Sequence, residues 1–145
     1  MDDSAKPGQM LEESMEAGKQ PISPLIEALA EAKTRAGLEI HVHSSVKPGV
    51  RDSRREALRW FYRHGLDKIG NRAGLLIYLN KRTHKFSIVA DIAWDAWIRP
   101  SDWKTISEGM QDDLLSTQWE KAVSITVRTL EILVISRSNP REQRI

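Results

Sequence analysis

The chain has 145 residues, of which 40% are hydrophobic and 29% charged, the composition of one globular domain with a real core rather than of a disordered segment. Cysteine is absent, which excludes disulfides, thiolate metal sites and a cysteine nucleophile. The net charge of +2 conceals an acidic first quarter and a mildly basic body, too weak an excess to indicate nucleic acid without a patch.

No apolar run approaches the roughly 20 residues of a membrane span. The acidic, polar start MDDSAKPGQMLEES is no secretory signal, so a soluble cytoplasmic protein is the default expectation. Residues 1–20 lack apolar periodicity and read as a mobile arm. A single domain is expected over residues 21–136, followed by a polar, basic tail at 137–145. Ser23 and Pro24 form an N-cap and first helical position, and Gly37 a C-cap, predicting a helix over 24–36. Leu38 to Ser44 alternates, with Ile40 and Val42 on one face and Glu39, His41 and His43 on the other, as in a half-buried strand. Lys47-Pro48-Gly49 breaks it.

Arg51 to Leu66 reads as a helix with an apolar stripe of Leu58, Phe61, Tyr62 and Leu66. Arg51, Arg55, Arg59 and Arg63 recur every four residues on another face. Gly74 to Leu79 is an uninterrupted apolar run, Asn80 to His84 a polar turn, and Phe86 to Ala90 a second apolar run. Together they predict a hairpin whose first strand is buried on both faces. Asp91 caps a short helix through Trp97, stopped by Pro100. Ser101 caps a helix over 102–115, and Trp119 to Val134 forms the last one.

The order α-β-α-β-β-α-α-α makes the first two strands parallel through a right-handed crossover. The fold class is α/β: a three-layer α/β/α sandwich around a short mixed sheet. That topology gathers Glu39, Asn71, Arg72 and Asp91 at one edge, with Asp95 one helical turn on. Carboxylates from separate strand ends suit calcium or magnesium, giving a metal set of Glu39, Asp91 and Asp95. Asn71, Arg72 and Trp94 line the site, and Arg72 could hold a phosphate or further carboxylate bidentately. The plainer reading makes Glu39 and Asp91 structural ion-pair partners of Arg72, with Asp91 as a helix cap.

His41 and His43 could ligate zinc together with a carboxylate, although a solvated polar face is the commoner meaning of such a pair. The arginine stripe could meet phosphates or an anionic membrane surface. No Gly-rich phosphate loop, Gly-x-Ser-x-Gly elbow or hydrolase-type acid pair is visible, so no catalytic residue is assigned.

From about Gly37 to Leu133 the sequence resembles the TPM domain, found in thylakoid-lumen proteins of photosystem II repair and in many bacterial proteins. The resemblance rests on LEIHV, Ala57 and Phe61, NRAGLLIYLN, FSIVADIA, and Trp103, Ile106 and Met110. It implies an α/β/α sandwich with an acidic edge site. Family members are described as binding divalent cations, and phosphatase activity has been proposed; Glu39, Arg72 and Asp91 are the matching positions. The family's Gly-Asp-x-Gly is here Ala90-Asp91-Ile92-Ala93, without either glycine. The resulting expectation is a non-catalytic module binding Ca2+, Mg2+ or a protein partner. A metal-assisted phosphatase, with Glu39 and Asp91 on the metal and Arg72 on the phosphate, is the alternative. Anion binding through the Arg51–Arg63 face is the second alternative.

Overall fold

Strand β2, Gly74–Asn80, is buried at every position because both of its faces meet apolar layers. Its side chains alternate between two cores. Leu75, Ile77 and Leu79 join the larger core, and Leu76 and Tyr78 the smaller one. The computed structural model describes residues 23–116 and 118–138. The arm at 1–20 and the end of the tail therefore lie outside the described residues.

Strand β1, Glu39–Ser45, runs parallel to β2 from Glu39↔Gly74 to Ser45↔Asn80, and β3, Lys85–Ala90, runs antiparallel on the other side. The sheet order β1-β2-β3 is the mixed arrangement expected from the sequence. Helix α1, Pro24–Ala36, has the expected bounds. Ser23 Oγ accepts from the Leu25 N–H, and Gly37 at φ 67° lets the last turn close onto the Ala32 and Lys33 carbonyls.

Helix α2, Ser53–Arg63, is shorter than the 51–66 expected. Asp52 caps it, accepting from the Arg55 N–H, and Leu66–Lys68 forms a separate 3-10 turn after Gly65. Its buried face is Ala57 and Phe61, with Leu58 and Trp60 partly covered; Tyr62, expected in the stripe, is 59% exposed. Helix α2 covers the smaller core together with Leu66 of the 3-10 turn and Ile69. Helix α3, Pro100–Ser116, and α4, Trp119–Ser138, join α1 over the larger one. Pro100 starts α3 instead of merely ending what precedes it, as its fixed φ permits in a first turn. Asp102 reaches back to the Arg99 N–H at 2.8 Å.

Helix α4 runs on to Ser138, past the expected end at Val134, because Arg137 is anchored. Its Nη1 donates to the Trp97 carbonyl and to Asp102 Oδ2, each at 2.6 Å. Glu31 and Arg128 pair across α1 and α4, and the buried Glu131 lies 3.8 Å from Arg35. Among the described residues, no helix is long and apolar enough to cross a membrane.

A Cβ at Gly74 would overlap the Leu66 carbonyl oxygen, so the 3-10 turn can lie against the start of β2 only because residue 74 has no side chain. Gly74→Ala is expected to destabilise the domain by about 1–3 kcal/mol, the usual cost of overpacking. Chemical denaturation with an unchanged m-value is the measurement that checks it.

Candidate functional site

The chain bends sharply into β2. Asn71 Oδ1 accepts from the Ala73 N–H at 3.0 Å, and Arg72 takes the left-handed conformation at φ 57°. Such a φ is uncommon outside glycine and is held here by contacts at both ends of the residue. The Arg72 carbonyl accepts from the Ala93 N–H at 3.0 Å, while its guanidinium grips Asp91 bidentately, Nε to Oδ2 at 2.8 Å and Nη2 to Oδ1 at 3.0 Å. Two parallel N–H···O bonds between fixed planes are the strong form of this pair.

Asp91 also caps the 3-10 turn Ile92–Ala96, accepting from the Ile92 N–H at 2.7 Å. Its side chain is 7% exposed, against 52% for Arg72, so the carboxylate is covered by an arginine that itself faces water. The Arg72 hydrogen bonds, helped by the Ile92 N–H and opposed by desolvation, hold the Asp91 carboxyl below the usual carboxylate range. Asp91 in turn raises the Arg72 pKa, with a smaller contribution from the charge of Asp67.

Asp67 escaped the sequence reading. It lies in the 3-10 turn Leu66–Lys68, and its Oδ1 is buried without a hydrogen-bond partner among the described residues. An acid four residues before Asn71 was the available signal, but nothing local ties such a residue to an arginine. Glu39 is the first residue of β1 at this edge, yet its carboxylate is taken by Lys33 Nζ at 2.6 Å, not by Arg72. In the sheet Glu39 is opposite Gly74, whose carbonyl accepts from the Asp91 N–H. Glu39 and Asp91 are thus separated by two strand spacings, roughly 10 Å.

Asp95 is exposed and makes no ion pair or hydrogen bond among the described residues. Trp94 belongs to the core: it is fully buried, and its indole N–H donates to the Ala73 carbonyl at 2.8 Å. The topology therefore brings Asn71, Arg72 and Asp91 into one hydrogen-bonded cluster and leaves Glu39, Asp95 and Trp94 outside it. Among the described residues, no three His, Cys, Asp or Glu side chains stand as a group able to hold a metal.

His41 and His43 do share a face, but not an open one. His43 stacks on Trp60 with ring centroids 4.0 Å apart, and His41 lies 5.4 Å from His64. Burial lowers the His43 pKa, and the neighbouring His64 adds to the effect.

A sequence model of the TPM domain matches residues 18–132. The chain belongs to the TPM domain family. The fold is similar to that of a solved structure: the NMR structure of BA42 protein from the psychrophilic bacterium Bizionia argentinensis matches with a TM-score of 0.68 and 18% identity, over 76% of this chain and 75% of that one. No match was found among curated protein sequences. In this TPM domain the topology puts the start of β2 beside the end of β3, and Arg72 and Asp91 fill that junction.

Because the Asp91 pKa is lowered on folding, the carboxylate contributes stability that is present above the unfolded value, about 3.9, and lost as pH falls through the folded one. The stability advantage of the wild type over Asp91→Asn is therefore expected to shrink as pH drops below about 4. Urea titrations of both proteins between neutral and acid pH measure it.

Proposed function

We propose that this TPM domain is a non-catalytic binding module whose sheet edge takes a divalent cation, calcium or magnesium, by exchange with Arg72. The observation that carries the reading is the environment of the Arg72 guanidinium. It neutralises the covered Asp91 carboxylate, and the charge of Asp67 also acts on it. A hard cation with oxygen preferences fits that donor set chemically. Asp91 would be the anchoring ligand, and Asp67 has a buried oxygen with no other partner among the described residues.

With two protein carboxylates the ion keeps several waters, which makes affinity modest. Asp95 is exposed in the 3-10 turn that Asp91 caps, and adds negative charge there. Glu39 is the weaker candidate, because Lys33 already neutralises it and two strand spacings separate it from Asp91. Displacement matters as much as binding. Arg72 is half exposed and can swing into water, where its fork is free to meet a carboxylate or phosphate on a protein partner. Cation occupancy and partner contact are then coupled through one side chain.

Phosphomonoester hydrolysis is less well supported. The sequence offers no nucleophile-and-base pair at this edge, and the histidines nearest in sequence to Glu39 pack against α2. The test is calcium and magnesium titration followed by amide NMR. Concerted, saturable shifts at Asp67, Arg72 and Ile92–Asp95 are expected, at about 10⁻⁴–10⁻³ M cation. Asp91→Asn, which retains a capping oxygen for Ile92, should abolish them. If those amides stay still, or the variant responds like the wild type, the edge is a structural clip and nothing more.

A further inference from the structure

The opposite end of the sheet carries a different chemistry. Strands β1 and β2 both finish there, at Ser45 and Asn80, and the loop from β1 to α2 folds back beside them. That loop is firmly held. The buried Asn80 donates from Nδ2 to the Lys47 carbonyl at 3.0 Å while its Oδ1 accepts from the Arg82 and Thr83 N–H groups. Arg82 Nε donates to the Val46 carbonyl at 3.0 Å, and the Lys81 N–H to the Ser45 carbonyl at 2.7 Å.

Between this loop and the first two turns of α2 lies a cleft of about 500 Å3, lined by Lys47, Arg51, Arg55 and Arg59 together with Asp52 and Glu56. Neither carboxylate neutralises the two outer arginines. Asp52 is occupied as the helix cap, and Glu56 sits 3.6 Å from both Lys47 and Arg59. The side chains of Arg51 and Arg55 have no ion-pair or hydrogen-bond partner among the described residues. With Asp52 already capping the helix, the attraction rests on these guanidinium groups and not on the helix terminus.

We propose that this cleft is a binding site for a phosphorylated group, held by the forks of Arg51 and Arg55 with Lys47 and Arg59 at its sides. Arginine matches phosphate geometry bidentately, and the cleft volume is that of an ordinary small-molecule site. It also lies at the carboxyl ends of the parallel strands, where α/β sheets commonly bind ligands. The remaining arginines of α2 argue against a nucleic-acid track. Arg54 donates to the Ile88 carbonyl at 3.2 Å, and Arg63 stacks over Trp60 at 5.3 Å. The sequence stripe thus resolves into a concentrated cationic cleft instead of an extended basic strip. The proposal is independent of the cation reading, because it uses the other end of the sheet.

The full chain should be titrated with glycerol 3-phosphate and with inorganic pyrophosphate while its amides are followed by NMR. It should also be sedimented with phosphatidylcholine vesicles with and without phosphatidic acid. Saturable shifts at Gly49, Arg51 and Arg55 are expected. The Arg51→Ala/Arg55→Ala double variant should weaken binding about tenfold or more, given the strength of charge-assisted hydrogen bonds, at an unchanged Tm. Saturation by the soluble probes without sedimentation identifies a free phosphorylated ligand; phosphatidic-acid-dependent sedimentation lost in the double variant identifies a lipid headgroup. Either result upholds the site. The proposal is overturned if no probe or vesicle produces a saturable response, if the double variant binds as tightly as the wild type, or if a single-stranded oligonucleotide alone binds.

Discussion

The two hydrogen bonds from Arg72 to Asp91 join the start of the central strand to the end of its antiparallel neighbour. Much of the nearby geometry depends on that join. Arg72 sits at positive φ because its guanidinium and its carbonyl are both committed, the first to Asp91 and the second to the Ala93 N–H. Asp91 in turn starts the 3-10 turn that buries Trp94, whose indole N–H returns to Ala73. The join is electrostatic, and the same two residues also engage the Ile92 and Ala93 N–H groups, which would otherwise need partners at the end of a buried sheet. The cation site proposed there would work by replacing one partner of the carboxylate, not by filling a ready cage.

The two ends of the sheet are therefore electrostatically opposite. At one end Asp91 is matched by Arg72 and Glu39 by Lys33. At the other, Lys47 and Arg59 share Glu56, Asp52 is engaged as the helix cap, and Arg51 and Arg55 have no carboxylate partner among the described residues. A short sheet held between helical layers offers two rims and little else for ligands, since both faces of β2 are covered. The proposed cation rim and the proposed anion rim would thus lie apart within a single domain.

The parts of this fold that are legible in the sequence are those written in local pattern. The unbroken run Gly74 to Leu79 requires cover on both faces, and a helix between two strands requires a parallel pair; both expectations agree with the observed sheet. Ser23-Pro24 and Gly37 delimit α1 because caps act within a few residues. What local pattern does not encode is partnership across elements. Lys33 on Glu39, Asp67 near Arg72 and Arg137 on Asp102 each join residues of different elements, and each bears on a reading: the composition of the edge in the first two cases, the length of α4 in the third. Pro100 was ambiguous because proline both ends one element and begins another. Within the arginine stripe, spacing places Arg51, Arg55, Arg59 and Arg63 on one face but cannot tell which are free. That depends on Glu56, Trp60 and the loop held by Asn80.

The measurement closest to the central claim is a double-mutant cycle on Arg72→Ala and Asp91→Ala, read as unfolding free energy in the absence of divalent cations. If the pair is the clip that closes the sheet edge, the two single losses together exceed the loss in the double variant, and the difference disappears once acid protonates Asp91. Losses that simply add, to within about 0.5 kcal/mol, would mean that the two side chains contribute independently and that the edge is organised by something else.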